Sequence, residues 1–361
     1  LAAIRHESEP ELTTLNNGGR PENAIQSAQY PVEGLNHPAI GALANLFLAL
    51  FIVVIGSSLG TFLGRELGRQ GCFGAFNPAP QTEPDPAQIG PAEIGKLLAG
   101  TVGGLLVFPA QALLVYCLIR RPLTGCPARR LTAGKLAFPW VWVIGLGAIA
   151  TTQALWFFLG MILSQWFGQE PSGHPLNRML VQGGAVGLFL VALQGCLAAP
   201  VLEEVLCRGY LQSLLGRLGF AGSASVGGAV TVVLLGLGIQ TDILRGTYGS
   251  FNAILLALFL LVPWLTLWFY SQKITKNQRP STAQKMWPMG QNDALAAILA
   301  QAQIFCALHS TAWPAPIALL PLALGLGLIR AQGATLLVCV WVHASFNALS
   351  LVMALASLWA G

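Results

Sequence analysis

Charge is what this chain has least of. Asp, Glu, Lys and Arg make up only 9% of its 361 residues, where a soluble domain carries roughly 25%. That shortage, beside a hydrophobic content of 54%, excludes a soluble enzyme and a disordered tail. The alternating short segments of a transmembrane barrel are missing, as is any internal repeat of the kind found in transporters built from duplicated halves. Also missing is a basic stripe interleaved with aromatics, so the net charge of +5 does not point to nucleic acid. The seven cysteines show no CxxC spacing. Cys117, Cys196, Cys207, Cys306 and Cys339 lie in or at the ends of apolar runs and read as small buried hydrophobes. Cys72 and Cys126 fall in consecutive loops expected on opposite sides of the bilayer, which argues against a disulfide. The chain opens on polar sequence holding Glu7, Glu9, Glu11 and Glu22, without the basic start and apolar core of a signal peptide, so the first span is expected to direct membrane targeting.

What the chain has instead is a succession of apolar runs about as long as the hydrocarbon core of a bilayer is thick. They fall near residues 40–63, 97–119, 138–167, 183–216, 220–240, 251–271, 294–312, 315–330 and 334–359. Being continuous and rich in Leu, Ala and Gly, they predict an all-α polytopic bundle of eight or nine spans. The Gly-rich 220–240 and the short 315–330 are the weakest of them. Three regions follow: a polar segment 1–39 outside the membrane, N-terminal transmembrane helices over 40–180, and a core over 181–361 that carries the polar motifs. Fourteen of the nineteen basic residues fall on one side if the N-terminus is inside, leaving Arg65, Arg69, Lys96, Arg178 and Arg245 outside. The asymmetry predicts a cytoplasmic N-terminus, with the basic loops against anionic lipid heads; a plasma or bacterial inner membrane is the default expectation for a chain of this bacterial-looking kind. The outer loop 64–96, with Asn77-Pro78-Ala79-Pro80, is expected to be extended.

Against this background a few polar side chains are out of place. Ala199-Pro200-Val201-Leu202-Glu203-Glu204-Val205-Leu206-Cys207-Arg208-Gly209 puts two carboxylates and a guanidinium into an apolar run, at about 2.5–3.5 kcal/mol for each charge near a span's centre. Glu204 and Arg208, four apart, share a helical face and can pair. Glu203 is turned about 100° away and needs water or a partner from elsewhere. Phe305 and His309 in the 294–312 run, and His343 and Asn347 near the middle of the last, are likewise four apart. A lone intramembrane His is often a helix-to-helix hydrogen bonder, but two His, an Asn, two Glu and an Arg on three apolar segments point to a functional site. His6, His37 and His174 lie in polar sequence and read as ordinary surface residues, and the Trp and Phe clusters as interfacial anchors.

Taken together, the three stretches resemble the CPBP family of intramembrane proteases, which includes the CAAX prenyl endopeptidase Rce1 and bacterial bacteriocin self-immunity proteins. Two Glu followed by an Arg and a Gly correspond to Glu203, Glu204, Arg208 and Gly209, Phe and His four apart to Phe305 and His309, and His and Asn four apart to His343 and Asn347. The order of the motifs carries the specificity; any one alone is weak. The resemblance covers residues 183–218 and 292–352. Cys207 stands where the family usually has an aromatic, and about 96 residues separate Arg208 from Phe305 where the family often has a short connection. The intervening 219–291 is therefore expected to be an inserted region that reshapes substrate access or serves a membrane-protein partner.

Peptide hydrolysis needs an activated water, donors for the oxyanion and a proton for the leaving amine. Glu203, stripped of water beside a second carboxylate, suits a general base; His309 can share that water and return a proton. His343 and Asn347 suit oxyanion donors, and Glu204 with Arg208 would hold the helix. The resemblance implies the same division of labour, a glutamate-type endopeptidase without a cofactor, acting on a peptide or membrane-protein substrate. Zinc stays open, since two His and a Glu also make a zinc set, although HExxH is missing and Asn is a poor zinc ligand. Two other readings stay open as well: a non-catalytic membrane scaffold or assembly subunit that keeps the polar cluster for packing, and a proton-coupled transporter.

Overall fold

The computed structural model describes residues 91–120, 138–167, 184–238, 249–277 and 291–360, with residues 59, 60, 62–64 and 66 of a preceding helix. The chain divides into two units, residues 1–36 and 37–361. The first unit, and with it nearly all of the polar 1–39 segment, lies outside the described residues. So do most of the 40–63 run, loop 64–90, Cys72 and Cys126.

Among the described residues every regular element is helical. In chain order they are α1 (Pro91–Arg120), α2 (Phe138–Phe167), α3 (a continuous helical run over residues 184–217), α4 (Gly219–Gly238), α5 (Gly249–Asn277), α6 (Gln291–Ala307), the single turn α7 (Ala315–Ala318), α8 (Leu320–Ala331) and α9 (Leu336–Ala360). Five stretches are long and apolar enough to cross a membrane: Pro139–Gln165, Gly184–Arg217, Gly219–Leu237, Phe251–Phe269 and Leu336–Ser357. The protein is an integral membrane helical bundle. Its outward faces suit lipid: Phe157, Leu237 and Phe269 are all exposed and have no polar side-chain group to satisfy there.

Helix α6 is the buried axis. From Ala294 to Ala307 nearly every residue is inaccessible, and α3, α4, α5 and α8 all pack on it. Its sequence explains this: Ala294, Ala296, Ala297, Ala300, Ala302 and Ala307 keep the cylinder thin, so neighbours approach closely. A Cβ on Gly227 of α4 would strike the Ala300 side chain, and one on Gly327 of α8 would come within 2.8 Å of Ile298. The same device joins the preceding helix to α1, where Gly60 and Gly64, four apart, lie against the backbone of Ala99, Gly103 and Gly104.

Polar groups inside the bundle answer backbone groups that the helices themselves leave open. Pro263 in α5 has no N–H, so the Phe259 carbonyl four residues earlier lacks its helical donor. The buried Gln303 supplies one, its Nε2 donating to Phe259 O at 2.8 Å while its Oε1 accepts from Trp264 Nε1 at 2.6 Å. Helix starts are closed in the same way. The Leu322 N–H near the start of α8 donates to Thr152 Oγ1 of α2 at 3.0 Å, and the Phe220 N–H at the start of α4 donates to Asp293 Oδ1 at 2.8 Å.

Candidate functional site

The site grows from α3, whose helical winding is not uniform. Gln194–Ala198 and Val205–Leu211 are wound as π-helix, on either side of the α-helical turn Ala199–Glu204. Pro200 accounts for the first widening: without an N–H it cannot close the ordinary ladder, and the Ala199 N–H reaches back five residues to Gln194 O. Glu203 and Glu204 end the middle turn, fourteen residues from the end of the stretch Gly184–Arg217, or about 20 Å of helix.

Glu204, Arg208 and His343 form the closed part of the cluster. Glu204 and Arg208 are fully buried and paired at 2.9 Å between Oε1 and Nη1. The guanidinium also donates through Nη2 to Ala323 O of α8 at 3.3 Å and lies 4.6 Å above the Phe305 ring centre. His343 of α9 brings Nδ1 to the same Glu204 oxygen at 2.9 Å. A carboxylate oxygen already engaged by Arg208 can only accept, so Nδ1 of His343 carries a proton and donates. In the neutral ring Nε2 is then the acceptor.

Glu203 is the open part. About a quarter of its side chain is exposed, and its carboxylate faces both imidazoles: Oε1 is 4.0 Å from His309 Nε2 and Oε2 is 3.7 Å from His343 Nε2. These separations are too long for direct hydrogen bonds.

His309 reaches this place by a route its sequence context did not suggest. It was expected within a span over 294–312, but α6 stops at Ala307 and His309 stands in the turn beyond it, half-buried. Here the His309 backbone N–H donates to Cys306 O at 3.0 Å rather than to Phe305 O. The orphaned Phe305 carbonyl accepts from the ring Nδ1 instead, at 3.0 Å. The helix end therefore aims the ring, and it leaves Nε2 toward Glu203. Phe305 fills the space between the two imidazoles, its ring centre 5.0 Å from that of His309 and 5.6 Å from that of His343.

Asn347, one turn beyond His343 on α9, is half-buried and donates from Nδ2 to the Gly195 carbonyl of α3 at 2.6 Å. The structure thus draws Glu203, Glu204, Arg208, His309 and His343 into one connected cluster, with Asn347 held against the same helix two turns earlier. Partners that motif spacing did not reveal are mostly backbone groups: the carbonyls of Gly195, Ala323 and Phe305, and the Gly327 carbonyl, which accepts from Gln212 Nε2 at 3.0 Å. Of these, only the Gly195 carbonyl has a signal in the sequence, the missing N–H of Pro200 five residues on. Among the described residues, no group of three or more His, Cys, Asp or Glu is arranged to hold a metal ion. Cys196, Cys207, Cys306 and Cys339 are free thiols.

Residues 185–277 match the family of type II CAAX prenyl endopeptidase Rce1-like proteins. The match takes in the first motif on α3 and runs on through α4 and α5; Phe305, His309, His343 and Asn347 lie beyond it. No curated protein and no solved structure matches the chain significantly. The Rce1-like match supports a membrane-protease kind of function.

Proposed function

We propose that this chain is an intramembrane endopeptidase of the glutamate type, in which Glu203 is the general base. The observation that carries the reading is the Glu203 carboxylate facing the Nε2 atoms of His309 and His343 across gaps of 4.0 and 3.7 Å. A water in that gap gives a proton to Glu203 as its oxygen attacks the scissile carbonyl carbon. His309, its Nδ1 committed to Phe305 O, accepts the second hydrogen of this water through Nε2 and so orients it. The tetrahedral oxyanion is held by an N–H of Asn347 and by His343, which enters the step already carrying a proton on each ring nitrogen, so that Nε2 donates to the oxyanion. Nδ1 of that ring donates to the Glu204 carboxylate, which is itself paired with Arg208. Glu203 then passes its proton to the leaving amine as the C–N bond breaks. No step in this scheme needs a metal.

The substrate is a peptide within or tethered to the membrane, which meets Glu203 from the inner side or laterally from lipid. The test is cleavage of a membrane-tethered reporter peptide by the purified protein in proteoliposomes. Glu203→Gln, which keeps size and removes the base, is expected to lower the rate by about 10²–10⁴-fold with insertion unchanged. Cleavage at the normal rate would overturn the assignment. Running a farnesylated CAAX peptide against an unprenylated one decides whether a prenyl group is recognised. Activity is expected to survive chelation; loss on chelation that added zinc restores would recast Glu203, His309 and His343 as ligands.

A further inference from the structure

Asn347 is held by a carbonyl that a regular helix would not have available. In α3 the Ala199 N–H is spent on Gln194 O. The next backbone donor in sequence would be residue 200, and that residue is proline. In the five-residue spacing of this widened turn, Pro200 is the position that would have donated to Gly195. The Gly195 carbonyl therefore has no backbone donor of its own, and an unanswered carbonyl at this depth is costly. Asn347 Nδ2 answers it at 2.6 Å, from a residue far away in sequence. A carboxamide is planar, so fixing one N–H on a carbonyl fixes the direction of the other. On the proposed reading, that second N–H is the one offered to the oxyanion.

We infer that Pro200 is a positioning residue for hydrolysis: its missing N–H leaves the Gly195 carbonyl to anchor the Asn347 amide. The inference rests on the proposed endopeptidase reading for its kinetic consequence, but not for the hydrogen bond. Gly195 itself is permissive, since a Cβ there meets nothing within 4 Å.

Two measurements test it. In protein with ¹⁵N-labelled asparagine, the Asn347 amide is identified by the signal that Asn347→Leu deletes. Its two protons are expected to be distinct and one of them slow to exchange in the wild type. In Pro200→Ala, where a backbone N–H competes for Gly195, they are expected to converge and exchange quickly. In the reporter assay, Pro200→Ala is expected to lower kcat about tenfold with KM unchanged. Putting lactate at position 200, which also lacks an N–H but has no ring, is expected to restore kcat. The inference is overturned if the Asn347 signal is the same in Pro200→Ala, or if lactate loses as much activity as alanine. Either result leaves the Glu203 assignment standing, whereas a fully active Glu203→Gln ends that assignment without touching the amide signal.

Discussion

Arg208 shows how a charge is made tolerable where no water reaches it. One guanidinium arm pairs with Glu204, another donates to a carbonyl of α8, and the flat face covers Phe305. Even so, Nε of Arg208 and Oε2 of Glu204 have no protein partner, so the pair cannot be regarded as a source of surplus stability. Its value is geometric, because the same Glu204 oxygen sets the proton on His343. Removing one member should therefore hurt far more than the pair contributes. Arg208→Ala strands a fully buried carboxylate and is expected to destabilise the fold by about 3–5 kcal/mol, read as the unfolding free energy in detergent. Glu204→Gln keeps an acceptor for Arg208 and His343 but leaves the buried guanidinium without its countercharge, so it is expected to lose stability as well, and its reporter cleavage, measured per folded molecule, is expected to fall. Unchanged cleavage would show that the Glu204 charge plays no part in the chemistry.

At the level of whole helices, winding and thickness matter more than length. The two widened segments of α3 lie on either side of the turn that presents Glu203 and Glu204, and the first follows directly from Pro200. Helix α6 is thin because it is made of alanine, and four other helices use that thinness. Gly227→Val places branched carbons where the Ala300 methyl already sits and is expected to cost about 1–3 kcal/mol through overpacking, measured as a fall in the unfolding midpoint. Gln303→Leu exposes the other dependence. It leaves the Phe259 carbonyl and the Trp264 N–H unanswered, an expected loss of about 1–2 kcal/mol. Restoring the backbone donor with Pro263→Ala in the same chain should return part of it. The stretch expected to be inserted between the motifs supplies α4 and α5, and both pack on α6.

For the molecule as a whole, the uneven distribution of Arg and Lys predicts its orientation. Cysteine at Lys285 should be modified by a membrane-impermeant thiol reagent only from the cytoplasmic side, and cysteine at Arg178 only from the opposite side; the reverse pattern would invert the topology. Much of the architecture could be read from the chain. The apolar run 138–167 coincides with α2, and the runs at 183–216, 220–240 and 334–359 lie within about two residues of α3, α4 and α9. These boundaries were legible because lipid imposes a length and a polarity on each span. Less legible was the end of α6, where Ala307 closes the helix and His309 turns its ring back on Phe305. Apolar content continues through Leu308 and Ala312, so hydropathy has no term for the break.

Membrane residence, helical class and the pairing of Glu204 with Arg208 are consequences of composition and of a four-residue step along one helix, both local properties. That Glu203 should face imidazoles from two other segments, that one Glu204 oxygen should serve both Arg208 and His343, and that Asn347 should find the Gly195 carbonyl are matters of which helices lie side by side. Spacing along the chain does not encode distance between segments more than a hundred residues apart. Packing around an alanine-rich axis brought them together, and groups left open by Pro200, Pro263 and the end of α6 selected which polar side chains would meet.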